Sequence, residues 1–165
     1  FLYEFPDYQS NVVEKMKKEK YILMYYCDKL PNELKEKIID YAKTNNLKIY
    51  GAGEYKNWFD SFRININPFE WVEMFKYAEI VLTGTFHGTV FSIKSRKQFY
   101  NYLANPSRIK KVDSLLSQFN IENREIESLY DYKKIDYKKV INIIQKNKIE
   151  SCDYIKKNIE KYRRT

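Results

Sequence analysis

The run Tyr21-Ile22-Leu23-Met24-Tyr25-Tyr26-Cys27 carries neither a charge nor any alternation of polar and apolar residues. A strand with one wet face alternates. A strand covered on both faces reads as a continuous apolar run, and such strands belong to parallel sheets sandwiched between helices. Leu47-Lys48-Ile49-Tyr50-Gly51-Ala52-Gly53 reads as a second short strand ending in a glycine turn, and Ile80–Thr83 and Phe99–Leu103 read as two more. Between them, Leu34, Ile38, Ile39 and Ala42, then Val72, Phe75 and Ala78, then Val112, Leu115, Leu116 and Phe119 recur at helical spacing. Strands alternating with helices imply βαβ units. The expected fold is α/β, a Rossmann-like three-layer sandwich with a mostly parallel sheet.

Local signals place the element ends. Pro31 suits the first position of a helix. In Asn67-Pro68-Phe69-Glu70, Asn67 is a cap, Pro68 the first helical residue and Glu70 the partner of a capping box. Val90–Ser95 reads as a short buried helix. Ser107 reads as the cap of the helix that carries Val112, and Asp136 as the cap of a long C-terminal helix. That last helix is expected to turn Val140, Ile144, Cys152, Ile155 and Ile159 inward and to kink near Asn147. Residues 54–66 look irregular, with an extended piece at Phe62–Ile66, and residues 1–20 and 129–137 look the most flexible. With no internal repeat, low-complexity linker or second-domain boundary, residues 1–165 read as one domain.

Composition narrows the function classes. Thirty Lys and Arg against 22 Asp and Glu give a net charge of +8, which favours anionic partners. Much of that charge is mixed with acids on solvated faces, as in Glu14-Lys15-Met16-Lys17-Lys18-Glu19-Lys20. No zinc-finger spacing, ribonucleoprotein motif or basic zipper is present, so no nucleic-acid partner is expected. Cys27 and Cys152 stand far apart with no metal-ligand spacing, so a metal site is not expected and both read as reduced, buried thiols. Apolar runs fall far short of the roughly 20 residues that span a bilayer. The text begins at Phe1, and a fragment of a larger protein is the expectation. Its location is expected to be cytoplasmic, or peripheral at the inner membrane face.

One segment concentrates unusual residues. Ala78–Ile93, "AEIVLTGTFHGTVFSI", holds two of the four glycines and the single histidine. Ligands of open α/β sheets bind beyond the carboxyl ends of the strands, and the residues after Ile80–Thr83 lie at such an end. Gly84 and Gly88 allow a tight turn and a close approach. A helix starting near Gly88 presents free N–H groups and a positive dipole end to an anion. Thr83, Thr85 and Thr89 add hydroxyl donors, and His87 brings an imidazole able to exchange a proton near neutral pH. The residues alone equally allow a histidine that only caps the helix or bonds a carbonyl. The spacing is neither a P-loop nor a dinucleotide fingerprint.

The segment "WVEMFKYAEIVLTGTFHGTVFSIKSRKQF", followed by "SRIKKVDSLLSQFNIENREI", resembles the C-terminal half of the polysaccharide pyruvyl transferase family over roughly residues 67–126. Two blocks together carry the resemblance, Thr-x-Thr-Phe-His-Gly-Thr and Ser-Arg-Ile. Two positions depart from it: Gly84 stands where the family usually has Asp or Ser, and Gln98 where it usually has Pro. The resemblance implies one lobe of a GT-B-like fold with its active site in a cleft against an N-terminal lobe outside this sequence. It implies transfer of pyruvate from phosphoenolpyruvate onto two hydroxyls of a sugar or lipid-linked oligosaccharide, with no cofactor.

On that resemblance His87 is the acid/base or phosphate ligand, and Arg108 the planar clamp for phosphate or carboxylate. Thr83, Thr85, Gly88, Thr89 and Ser107 complete the substrate-binding set. Arg124 reads as part of a structural ion pair, Arg63 has no spacing that requires it in the cleft, and Trp71 and Phe75 read as core. Two alternatives stay open: a GT-B sugar-nucleotide glycosyltransferase lobe, and a non-catalytic module that binds anions or glycans.

Overall fold

The computed structural model describes residues 5–27, 29–121, 124–130 and 133–163. Five strands form one sheet: β1 (Tyr21–Tyr25), β2 (Lys48–Ala52), β3 (Ser61–Arg63), β4 (Ile80–Thr83) and β5 (Gln98–Asn101), in the order β3-β2-β1-β4-β5. Every pairing is parallel, so the expected mostly parallel sheet is parallel throughout. The apolar run Tyr21–Cys27 supplies the central strand β1, whose first four residues are buried. The predicted pieces at Phe62–Ile66 and Phe99–Leu103 are shorter and begin one residue earlier.

Helices cover both faces. Leu34, Ile38, Tyr41 and Ala42 of α2 (Asn32–Thr44) pack on Ile22, Met24, Ile49 and Leu82. On the opposite face α1 (Asn11–Lys18), α3 (Pro68–Tyr77), α4 (Phe86–Lys94), α5 (Pro106–Gln118) and the start of α6 (Tyr137–Arg163) cover Leu23, Tyr50, Val81 and Phe99. Burying each such side chain contributes about 1.5–3 kcal/mol. The sheet winds outward from β1 in both directions. β1 and β4 are neighbours whose following helices lie on opposite faces, and this is the switch point where such sheets open a crevice at their carboxyl edge.

Several local expectations are corrected. Pro31 is the residue before α2 rather than its first residue, with extended ψ of 148°. Asn67 does cap α3, accepting from the Phe69 and Glu70 amides, but the Glu70 carboxylate accepts from Ser10 Oγ and no capping box closes. Residues 11–18, read as flexible, form α1, because Ser10 accepts from the Val13 amide and Val13 and Met16 are buried. The cap of α5 is Asn105, not Ser107: Pro106 takes the first helical position, and the Ser107 amide donates to Asn105 Oδ1 at 2.8 Å. Asp136 does cap α6 through the Lys138 and Lys139 amides. That helix runs unbroken through Asn147. Its expected inward face holds only at first, since Val140 is buried but Ile155 and Ile159 are 49% and 50% exposed. Of the 129–137 segment read as flexible, residues 131 and 132 lie outside the described residues.

With four glycines in the chain, α2, α4 and α5 end on left-handed Asn46, Arg96 and Asn120 instead. In each case the next amide reaches back to a carbonyl of the last turn: Leu47 to Ala42, Lys97 to Ser92 and Ile121 to Leu116. Cys27 is buried and Cys152 half-buried on α6, and the two form no disulfide with each other.

Candidate active site

At the carboxyl end of β4 the chain turns through Gly84 and Thr85 and enters α4 at Phe86, two residues earlier than a start near Gly88. Thr85 is the cap, and its Oγ1 accepts from the Gly88 amide at 2.9 Å. Thr83 Oγ1 accepts from the Thr85 amide at 3.2 Å, and Thr89 Oγ1 donates to Thr85 O at 3.0 Å. The three threonines thus hold the turn in shape. Thr83 and Thr89 are fully buried and Gly88 is buried, so their atoms form the floor of the site. The glycines are needed by the protein's own packing. A Cβ on Gly88 would stand 2.1 Å from Thr83 Oγ1, and one on Gly84 would stand 2.3 Å from Tyr26 O and 2.9 Å from Tyr102 O.

A further residue, Asn101 at the end of β5, locks this floor from the neighbouring strand. Its Nδ2 donates to Thr89 Oγ1 at 2.8 Å and lies 3.4 Å from Thr83 O. Asn101 is 5% exposed. Sequence reasoning passed over it; its position as the last residue of β5, next to the glycine turn of β4, is the signal that marks it. Tyr26 was missed as well. It leaves β1 with a left-handed φ of 51° and stands against Gly53 at the end of β2.

Above this floor stand the exposed groups. His87 occupies the second position of α4, with its ring edge-on to Phe86, and its imidazole makes no hydrogen bond within the described residues. The imidazole is therefore not engaged in capping or in holding a carbonyl. Arg108 occupies the third position of α5, and its Nη1 lies 3.4 Å from Gly84 O, which brings the guanidinium over the turn that precedes His87. Ser107 is exposed beside it.

Two helix starts at this edge lack a compensating acid. Helices α1, α2 and α3 carry Glu14, Glu33 and Glu70 in their first turns, which offset the positive dipole end. Helices α4 and α5 carry no acid there, and α5 adds Arg108 to its own positive end. Two uncompensated helix starts on adjacent strands and a guanidinium over the turn between them favour an anion.

The other candidates resolve into structure. Arg124 is 4% exposed; it donates to Phe99 O at 2.9 Å and Lys133 O at 2.8 Å and lies over the Tyr100 ring. These contacts hold the guanidinium inside the fold. Arg63 is an exposed residue of edge strand β3. Phe75 is fully buried, and Trp71 packs on it and on Phe91, as core. Among the described residues no cluster of His, Cys, Asp and Glu could hold a metal ion.

A search of curated proteins finds no match. Among solved structures, the UDP-GlcNAc 2-epimerase of Methanocaldococcus jannaschii, in complex with UDP-GlcNAc and UDP, is similar over 83% of this chain, at 12% identity and a TM-score of 0.48. The chain covers 48% of that structure, about half its length. The sequence model of the polysaccharide pyruvyl transferase family matches residues 5–107. That range spans all five strands, the Thr83–Thr89 turn with His87, and α5 as far as Ser107. With more than half of its length matched, including the turn on which the candidate site is built, the chain belongs to the polysaccharide pyruvyl transferase family.

Proposed function

We propose that this chain is the C-terminal lobe of a GT-B-like transferase that moves pyruvate from phosphoenolpyruvate onto two hydroxyls of a sugar, forming a ketal. The observation that carries the reading is the pair of uncompensated helix starts at β4 and β5, with His87 in one and Arg108 in the other. Phosphoenolpyruvate bears a phosphate and a carboxylate, and both charges suit that edge.

The reaction needs a proton at the methylene carbon of the enol phosphate. The resulting cationic carbon takes one sugar hydroxyl, forming the first C–O bond. The bond to phosphate then breaks, and the second hydroxyl closes the ketal. Two hydroxyl protons are released: one balances the new methyl group and the other leaves with phosphate. In this reading His87 delivers or relays the proton, since its imidazole has no competing partner. Arg108 holds the donor by a two-pronged contact with phosphate or carboxylate. Thr83, Thr85, Gly88 and Thr89 keep the turn in the shape that presents the Phe86 and His87 amides, and Ser107 lines the donor side. The sugar acceptor enters from the side of a second lobe.

The test is phosphate release from phosphoenolpyruvate in the presence of acceptor glycan, measured on the intact two-lobe enzyme. His87→Ala is expected to lower kcat/KM by about 100-fold or more. Arg108→Lys is expected to raise the KM for phosphoenolpyruvate by about tenfold. Near-normal values for both variants would contradict the assignment.

A further inference from the structure

Helix α6 is 27 residues long, about 40 Å at 1.5 Å per residue. Its first turns lie on the fold: Val140 is buried, and Tyr137 and Ile144 pack against the main cluster. The same side of the helix continues beyond the fold. At about 100° per residue, Cys152, Ile155, Ile159 and Tyr162 fall within one stripe in line with Ile144. There Ile155, Ile159 and Tyr162 are 49%, 50% and 78% exposed, and Cys152 is half-buried.

The charges around the stripe are sorted. Lys148 lies on it and Lys156 at its margin. The acids of the same stretch, Glu150, Asp153 and Glu160, all fall at least about 120° from its centre. Those acids share the far side with Lys146, Lys157 and Lys161, and Lys146 lies 3.9 Å from Glu150. The charges of the far side are thus balanced, although Ile149 and Tyr154 also stand exposed there, about 100° and 120° from the stripe's centre, while no acid of the described residues stands on or beside the stripe. A second copy of the helix would bring those lysines toward one another, because no acid stands beside the stripe to meet them. An apolar layer beneath a negative surface meets both features, and lysines can lie along it with their ammonium groups in the headgroup region.

We propose that the second half of α6 is an interfacial helix that seats the protein reversibly on an anionic lipid bilayer, with Cys152, Ile155, Ile159 and Tyr162 toward the acyl chains and Lys148 and Lys156 at the phosphates. No described helix is long and apolar enough to cross a membrane, so the contact is one of surface docking. This placement does not depend on the transferase reading.

The experiment is co-sedimentation of the 165-residue chain with vesicles of phosphatidylcholine, with and without phosphatidylglycerol, at low and high salt. Binding is expected only to the vesicles that contain phosphatidylglycerol and is expected to weaken in high salt. The pair Ile155→Glu and Ile159→Glu is expected to reduce binding at least about tenfold. The pair Lys148→Glu and Lys156→Glu is expected to do the same while leaving the urea midpoint unchanged. A polarity-sensitive dye on Cys152 is expected to shift to the blue on anionic vesicles only. The proposal is overturned if wild type does not sediment, if neutral vesicles bind it equally, if either double variant binds like wild type, or if the stripe proves to be the seam of a dimer that those variants dissolve.

Discussion

The carbonyl oxygen of Tyr26 occupies the space in which a side chain at residue 84 would begin: a Cβ on Gly84 would stand 2.3 Å from it. The Tyr102 carbonyl closes the other side at 2.9 Å. The exit of β1, held by Tyr26 in a left-handed conformation, and the exit of β5 therefore converge on β4 at Gly84. Both neighbours are backbone, so neither can swing aside. Gly84→Ser is expected to destabilise the protein by about 1–3 kcal/mol in urea unfolding, because the β1 exit must shift. An unchanged midpoint would show that the Tyr26 loop yields freely.

Gln98, at the position where the sequence resemblance leads to an expected Pro, has a partner. Its Oε1 accepts from the Ile135 amide at 3.0 Å, and its Nε2 lies 3.5 Å from Ile135 O. A proline there could offer neither contact. Gln98→Leu is expected to cost about 1 kcal/mol and to speed hydrogen exchange at the Ile135 amide. Unchanged exchange at that amide would show that the segment ahead of α6 is held by other contacts.

Asn101 is expected to matter more than its neutral side chain suggests. Asn101→Ala removes the donor to Thr89 Oγ1 inside a buried network and is expected to cost about 1–3 kcal/mol. Asn101→Asp is expected to cost more at neutral pH than at pH 4, since an ionised carboxylate there is buried and cannot donate. Equal losses at the two pH values would argue that water reaches the site.

Alkaline pH offers a test of the core. Burial pushes the Tyr21 hydroxyl well above its usual range, and it does the same to Tyr137, against a smaller opposing pull from Arg124. In the unfolded chain both ionise near pH 10. Above that pH the unfolded state therefore holds fewer protons than the folded one, and stability falls as pH rises. Burial lowers the Lys97 pKa, so between that lowered value and about 10.5 the unfolded chain binds more protons at this residue. Its contribution to stability rises with pH there and levels off above. The net expectation is a loss beginning near pH 10 and steepening beyond it. Tyr21→Phe, which also removes the bond to Met74 O, is expected to be less stable at pH 7 but to show a shallower decline above pH 10. A decline as steep as wild type would place the responsible groups elsewhere.

Much of the sheet could be read directly, because a strand covered on both faces has a signature that tolerates little else. Tyr21–Tyr25 and Ile80–Thr83 are such strands. The turn after β4 was also legible, since Gly84, His87 and Gly88 are rare residues in this chain. The roles within the turn were not. Sequence shows that Thr83 and Thr89 are hydroxyls, but their burial and their bonds to Thr85 and Asn101 depend on how β5 lies beside β4. Asn101 and Tyr26 escaped notice because each acts across the sheet. Serine is a good cap and so the sequence favours Ser107 for α5, while Pro106 at the first helical position points to Asn105. The outer half of α6 misled in another way: helical spacing reveals an apolar stripe but not whether the fold reaches far enough to cover it.

The most direct test of the anion site uses His87, the single histidine of the chain, whose imidazole gives one isolated proton resonance. Phosphoenolpyruvate is added to the 165-residue chain and the His87 Cε1–H signal is followed by NMR. The site at α4 and α5 predicts a saturable movement of that signal with a Kd of about 1 mM or tighter, weakened about tenfold in Arg108→Ala. A His87 signal that does not move at about 10 mM phosphoenolpyruvate, or that moves equally without Arg108, would contradict it.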